Sequence, residues 1–141
     1  IIQKYKKLGH NQLFLSDPIK FSEILLENRI RQYENAEKLN FKNVFFDRGI
    51  PDILAYLSYK NVSFGKNFDD PSNNLRYDYV FIAEPWEKIF KNDEERYESF
   101  EELKIINKHI KTTYSGNGYD YFTLPEDSIE QRVNFIIKTI K

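Results

Sequence analysis

Two consecutive residues in the stretch "NVFFDRGIPDILAY", residues 43–56, carry the strongest chemical signal of the chain. The acid Asp47 and the base Arg48 follow directly after an apolar run and precede Gly49. A carboxylate in this position can hold water on a Mg²⁺ ion, accept a proton from a hydroxyl group or position its neighbour. The guanidinium beside it can grip a phosphate through two parallel hydrogen bonds. The alternative is that Asp47 only caps a helix opening at Pro51, while Arg48 is solvated.

Three further positions could contribute to a site. Glu84 follows a second apolar run and could be a second carboxylate of the site. An acid after a buried strand also commonly marks the point at which the chain returns to solvent, and we favour that interpretation. Trp86 could stack on a ring, but packing at the rim of the core is the favoured interpretation. Arg96 lies in the charged connection "KNDEERYE", residues 91–98. It could close over a polyphosphate as part of a lid, but a solvated charge run is the usual explanation and the one that the residues favour.

Several function classes find no support in the sequence. The 21 basic and 22 acidic side chains give a net charge of -1, so no electrostatic attraction to nucleic acid or to an anionic membrane is predicted. No apolar run approaches the roughly 20 residues of a membrane span. The absence of cysteine fits a reducing compartment, and we expect a cytoplasmic protein. His10 and His109 are too far apart in sequence for a recognisable metal motif.

Phosphate-binding loops are also missing from these residues. The five glycines fit neither GxxxxGK[ST] nor GxGxxG, and no GxSxG marks a serine nucleophile. The 141 residues by themselves are therefore expected to bind ATP poorly and to be inactive.

The elements that must position these side chains alternate between helix and strand. Asp17 and Pro18 open an amphipathic helix that ends near Asn40, and Pro51 opens a short helix through about Tyr59. Residues 60–76 lack periodicity and are predicted to form a mobile loop that could contain one helical turn.

Three apolar runs predict strands, at residues 43–47, 79–83 and 119–125. Ser99 and Ser128 each begin a capping box before a helix with an apolar stripe. This alternation predicts an α/β fold, a parallel sheet in one domain over residues 1–141. Ligands of such sheets bind outside the carboxyl ends of the strands, which is where Asp47, Arg48 and Glu84 are expected.

The stretches "VFFDRGIPDILAY", "YDYVFIAEPWEKIFKNDEERYESFEEL" and "GYDYFTLPEDSIEQRVNFI" together resemble a known family. It is the P-loop ATPase and kinase-like family that includes the nicotinamide-riboside kinase domain of the NadR regulator, a group of AAA-domain ATPases. The resemblance covers about residues 21–137. It implies a three-layer P-loop NTPase fold of the nucleotide-kinase kind, with a five-stranded parallel sheet and helices on both faces. It also implies Mg²⁺ and ATP or GTP as cofactors.

The resemblance further implies residue roles. Asp47 would assist Mg²⁺ and the hydroxyl acceptor, Arg48 would face phosphate, and Arg96 would lie in a lid over the triphosphate. The turn around Leu124 and Pro125 would border the nucleotide base. The implied reaction moves the terminal phosphoryl group to a nucleoside-like hydroxyl or to water. The alternative is a non-catalytic, NTP-sensing regulatory module whose nucleotide-bound state is recognised by a partner.

The chain departs from the family pattern at its beginning. The P-loop and its strand would precede Ile1, and the sequence contains no methionine, so we expect an N-terminally incomplete domain. In the related fold that strand lies between the strands predicted at 43–47 and 79–83. Without it, exposed strand edges would allow self-association.

Overall fold

The chain forms two compact units, Ile1–Arg76 and Tyr77–Lys141. The structure is a computed structural model that describes residues 16–89 and 99–141. These residues form α-helices and one small parallel sheet, which takes one strand from each range. This composition is compatible with an α/β P-loop fold. None of the helices in these ranges has the length and apolar character needed to cross a bilayer.

Helix α1, Pro18–Glu37, opens the described part of the first unit as its sequence predicts. A carboxylate oxygen of Asp17 accepts a hydrogen bond from the Lys20 backbone N–H at 3.1 Å, and proline occupies the first turn. Both features suit a helix N-terminus, where backbone donors have no partner within the helix. The helix ends at Glu37 rather than near Asn40.

Helix α2, Ile50–Tyr59, is held at its N-terminus by an acid inside its own first turn. Asp52 accepts a hydrogen bond from the Gly49 N–H at 2.8 Å, and the guanidinium of Arg29 donates to the Gly49 carbonyl at 2.9 Å. The alternative role of Asp47 as the cap of this helix is therefore wrong, because Asp52 supplies the acceptor.

Removing this cap should weaken the first unit. We expect Asp52→Ala to lower the free energy of unfolding by about 1 kcal/mol, because the Gly49 N–H loses its acceptor at a helix N-terminus. Urea unfolding followed by circular dichroism measures the change. Asp47→Ala is the matched control and should leave the midpoint in place; equal losses in the two variants would contradict the assignment of the cap.

Helix α3, Lys66–Asn74, replaces most of the loop that the sequence predicts at 60–76. The prediction is wrong over these residues because Phe68 is buried to 1% exposure in the core of the unit. Its ring meets Phe64 edge to face, with 5.9 Å between centroids. Burying an aromatic side chain offsets the poor helix propensity of a segment that contains Pro71. The core residues are Leu26, Ile50, Ile53, Leu54, Leu57 and Phe68.

The segment 43–46 is a second departure from the sequence prediction. It has no strand assignment in the structure, so the strand predicted at 43–47 is wrong for the described chain. Phe46 stacks on Tyr33 at 6.0 Å between ring centroids, whereas Phe45 is 66% exposed. A strand requires a neighbour that takes up its backbone donors and acceptors, and no element between 16 and 89 or between 99 and 141 does so here.

The second unit contains two parallel strands. Strand β1, Val80–Ile82, pairs with β2, Tyr121–Thr123, in a register that places Val80 opposite Tyr121. These strands confirm the predictions at 79–83 and 119–125, although each is shorter. The described residues thus contain a two-stranded parallel sheet, where the family resemblance implies five strands in three layers.

Helices α4, Phe100–Gly116, and α5, Ile129–Ile140, follow the two strands. The hydroxyl of Ser99 accepts from the Glu102 N–H at 3.1 Å, and that of Ser128 accepts from the Gln131 N–H at 3.2 Å. Both hydroxyl caps predicted from the sequence are confirmed. The core of this unit is formed by Val80, Ile82, Tyr114 and Tyr119.

Candidate functional site

A cleft of about 770 Å³ opens beyond the carboxyl ends of the two strands of the second unit. Because β1 and β2 are parallel, the segments that leave them meet at one edge of the sheet. The lining residues are Trp86, Lys88 and Ile89 after β1, and Glu126, Asp127, Ser128, Ile129 and Arg132 after β2.

The cleft combines an apolar wall with two cations. Trp86 is partly buried, and Ile129 is 82% exposed at the start of α5. Within residues 16–89 and 99–141, the side chains of Lys88 and Arg132 have no hydrogen-bond or ion-pair partner. A planar ring can lie against the indole while anionic groups bind the cations. Glu126 and Asp127 line the same cleft, so its formal charges balance, and the arrangement suits a ligand that has an aromatic ring and polar groups.

Leu124 and Pro125 lie between β2 and the cleft. The Leu124 N–H donates to the Ile82 carbonyl at 2.9 Å, which continues the pairing of the strands by one residue. Both residues are partly buried, and the cleft lining begins at their neighbour Glu126. The predicted turn around Leu124 and Pro125 therefore lies next to the cleft along the chain, and Glu126, the residue after it, is part of the cleft wall.

Glu84 is engaged by two side chains of α4. One carboxylate oxygen accepts from the Asn107 amide and the other forms an ion pair with Lys111. Asn107 is only 7% exposed. The interpretation of Glu84 as a simple return to water is therefore wrong. The sequence did indicate a polar partner on this helix, because Asn107 interrupts the apolar stripe and Lys111 follows one turn later.

Asp47 and Arg48 form an exposed charged pair immediately before α2. Arg48 has a φ of 69°, in the left-handed region that costs a non-glycine residue about 1–2 kcal/mol. In the described part of the chain neither side chain has a hydrogen-bond or ion-pair partner. Gly49 is fixed by Arg29 and Asp52, so the backbone behind the pair is anchored while both charged groups remain available. Strained backbone of this kind concentrates at functional sites.

Comparison with known proteins places this chain in a family. A family model described as AAA domain matches residues 1–132, most of the sequence. The chain belongs to the AAA-domain family. Its P-loop nucleotide-binding character agrees with the resemblance noted in the sequence. No curated protein and no solved structure matches the chain.

P-loop AAA domains typically bind nucleotide together with Mg²⁺, and the available donors of this AAA domain can be compared with that ion. Among residues 16–89 and 99–141 no group of three or more His, Cys, Asp or Glu side chains is placed to hold a metal. Mg²⁺ is usually held by one or two carboxylates together with phosphate oxygens and water. The exposed carboxylate of Asp47 is a donor of that kind, so the residue fits the ion.

The predicted lid residue Arg96 of the AAA domain lies outside the described residues. Its assignment to a lid stays a prediction. Lys88 and Arg132 of the cleft were not predicted from the sequence. Arg132 lies in the second turn of the helix that follows the last strand, and its position relative to a strand end was the available signal.

Proposed function

We propose that this AAA-domain protein is a Mg²⁺-dependent phosphotransferase that binds ATP or GTP. It transfers the terminal phosphoryl group to a nucleoside-like hydroxyl or to water. The observation that carries the proposal is the exposed pair Asp47 and Arg48, which has no partner among the described residues and contains a left-handed arginine. An acid beside a guanidinium supplies a proton acceptor and a phosphate ligand in adjacent positions.

In this reaction the acceptor oxygen attacks the terminal phosphorus atom. Asp47 takes the proton of the attacking hydroxyl, and the bond from phosphorus to the bridging oxygen breaks to release the nucleoside diphosphate. Arg48 binds the transferring group, and Arg96 stabilises the charge that develops on it. When bound, Mg²⁺ would be held by Asp47 and would neutralise phosphate charge.

The cleft of the second unit is proposed to receive the nucleotide base. Leu124 and Pro125 directly precede Glu126 of its lining, and Trp86 offers an aromatic face of the size that a base requires. Arg132 and Lys88 supply positive charge near that face. The indole face supports a base at this position, and Glu126 and Asp127 of the same lining offset the charge of the two cations.

The test of the proposed reaction is Asp47→Asn in the full-length protein. We expect turnover of Mg²⁺-ATP or Mg²⁺-GTP to fall about a hundredfold, because the amide cannot accept the proton. Stability should change by less than about 0.5 kcal/mol, since the side chain is exposed. Asp70→Asn, an exposed acid of α3, is the matched control and should retain full turnover.

The results of this test separate a phosphotransferase from a non-catalytic NTP-sensing module. Wild-type protein that neither binds nor turns over Mg²⁺-ATP or Mg²⁺-GTP would overturn the proposal. Binding without turnover would instead favour the NTP-sensing module, in which a partner reads nucleotide occupancy. Turnover on the order of one per second or faster would count against that module.

A further inference from the structure

A partly buried polar cluster, formed by Glu84, Asn107 and Lys111, adjoins the segment that forms one wall of the cleft. We propose that Asn107 and Lys111 are positioning residues that hold the Trp86 wall of the cleft in place through Glu84. The nucleotide part of this inference rests on the proposed function, whereas the effect on Trp86 does not.

The cluster uses both oxygens of one carboxylate. Asn107 donates to one oxygen of Glu84, and the ammonium of Lys111 contacts the other. The donors lie one turn apart on α4, so a single face of that helix presents both. The side chains of Glu84 and Lys111 are 27% and 32% exposed, which reduces screening of the pair by water.

The backbone around Trp86 is fixed on both sides. Before it, Ile82 is paired with β2 and accepts from the Leu124 N–H, and Glu84 is held by the cluster. After it, the Ile89 N–H donates to the Trp86 carbonyl at 3.1 Å within a short 3₁₀ turn. Only Pro85 separates Glu84 from Trp86, and its ring restricts φ. The position of the indole is therefore coupled to that of the Glu84 carboxylate.

Loss of either donor should allow the segment that carries Trp86 to move. A partly buried carboxylate left with an unpaired oxygen turns toward water to recover hydration, and the segment attached to it moves. Stacking of a ring on an indole depends on their relative position, so such a shift weakens ligand binding. None of the three clustered side chains needs to touch the ligand.

The experiment compares Asn107→Leu and Lys111→Met with Lys104→Met in the full-length protein. Lys104 forms an exposed ion pair with Glu101 on the same helix at 2.9 Å, so its variant removes a lysine and an ion pair away from the cluster. Trp86 is the single tryptophan of the chain, and subtraction of a Trp86→Phe variant isolates its emission. Quenching by acrylamide measures the exposure of the indole, and titration with Mg²⁺-ATP and Mg²⁺-GTP measures affinity.

We expect Asn107→Leu and Lys111→Met to raise the quenching constant of Trp86. We also expect them to raise the Kd and KM for the nucleotide about tenfold with kcat little changed. Lys104→Met should behave as wild type. Glu84→Gln keeps an acceptor for Asn107 and removes the charge, so its effect should be intermediate. It also provides the test if Asn107→Leu does not fold, as judged by circular dichroism.

The contrary results are distinct for the two proposals. Folded Lys111→Met and Glu84→Gln variants with wild-type quenching would overturn the positioning role, whether or not nucleotide binds. An equal rise in Lys104→Met would overturn it too. Raised quenching in a protein that binds neither nucleotide would support the positioning role and reject the proposed function.

Discussion

Arg48→Ala is expected to lower phosphoryl transfer about a thousandfold, the scale on which an arginine that binds the transferring phosphate contributes. The side chain has no partner among the described residues, so its loss removes no contact there that holds the fold together. Steady-state turnover with Mg²⁺-ATP and Mg²⁺-GTP measures the effect. Lys42→Ala, an exposed cation six residues earlier, is the control and should leave turnover unchanged.

Arg48→Gly separates the guanidinium from the backbone conformation. Glycine adopts a φ of 69° without the steric cost that alanine retains, although it loses more conformational entropy on folding. The glycine variant should therefore be more stable than the alanine variant by about 0.5–1 kcal/mol, while both lose activity alike. Activity retained by the glycine variant would show that the conformation matters and the guanidinium does not.

Phe68→Ala should destabilise the first unit by about 3–5 kcal/mol, because a fully buried aromatic side chain would leave a cavity in the core. Urea unfolding monitored by circular dichroism gives the change in free energy. A mobile loop at 60–76 would instead make this substitution nearly silent. The experiment therefore tests helix α3 directly.

Phe45→Ala is the matched control for Phe68. Its ring is 66% exposed, and its removal should change the free energy of unfolding by less than about 0.5 kcal/mol. Equal costs at the two positions would contradict the difference in burial that distinguishes the core from the segment 43–46.

The starts of three helices could be predicted because their causes are local. Asp17, Ser99 and Ser128 each accept a hydrogen bond from a backbone N–H three residues later, as their spacing indicates. The two strands of the second unit were also predictable, since short runs rich in β-branched and aromatic residues precede polar turns. Such features depend on a few neighbouring residues.

Helix α3 and the segment 43–46 could not be predicted in this way. The helix depends on the burial of Phe68 among residues of α1 and α2, which no local pattern reveals. The segment 43–46 has the composition of a strand, but strand formation requires a neighbour supplied by the rest of the fold. In both cases tertiary contacts outweighed local preference.

For the candidate site, the charged pair Asp47 and Arg48 could be predicted from the order of residues, because an acid and a base follow directly after an apolar run. Three contacts became visible with the folded chain: Asp52 caps α2, Asn107 and Lys111 hold Glu84, and Trp86 and Arg132 line one cleft. The contacts of Glu84 and the cleft join residues more than 20 positions apart in sequence. The cap of α2 is local, but the sequence left Asp47 and Asp52 as two possible acids for it. The types and spacing of neighbours limit what a residue can do, whereas folding selects the partner that it meets.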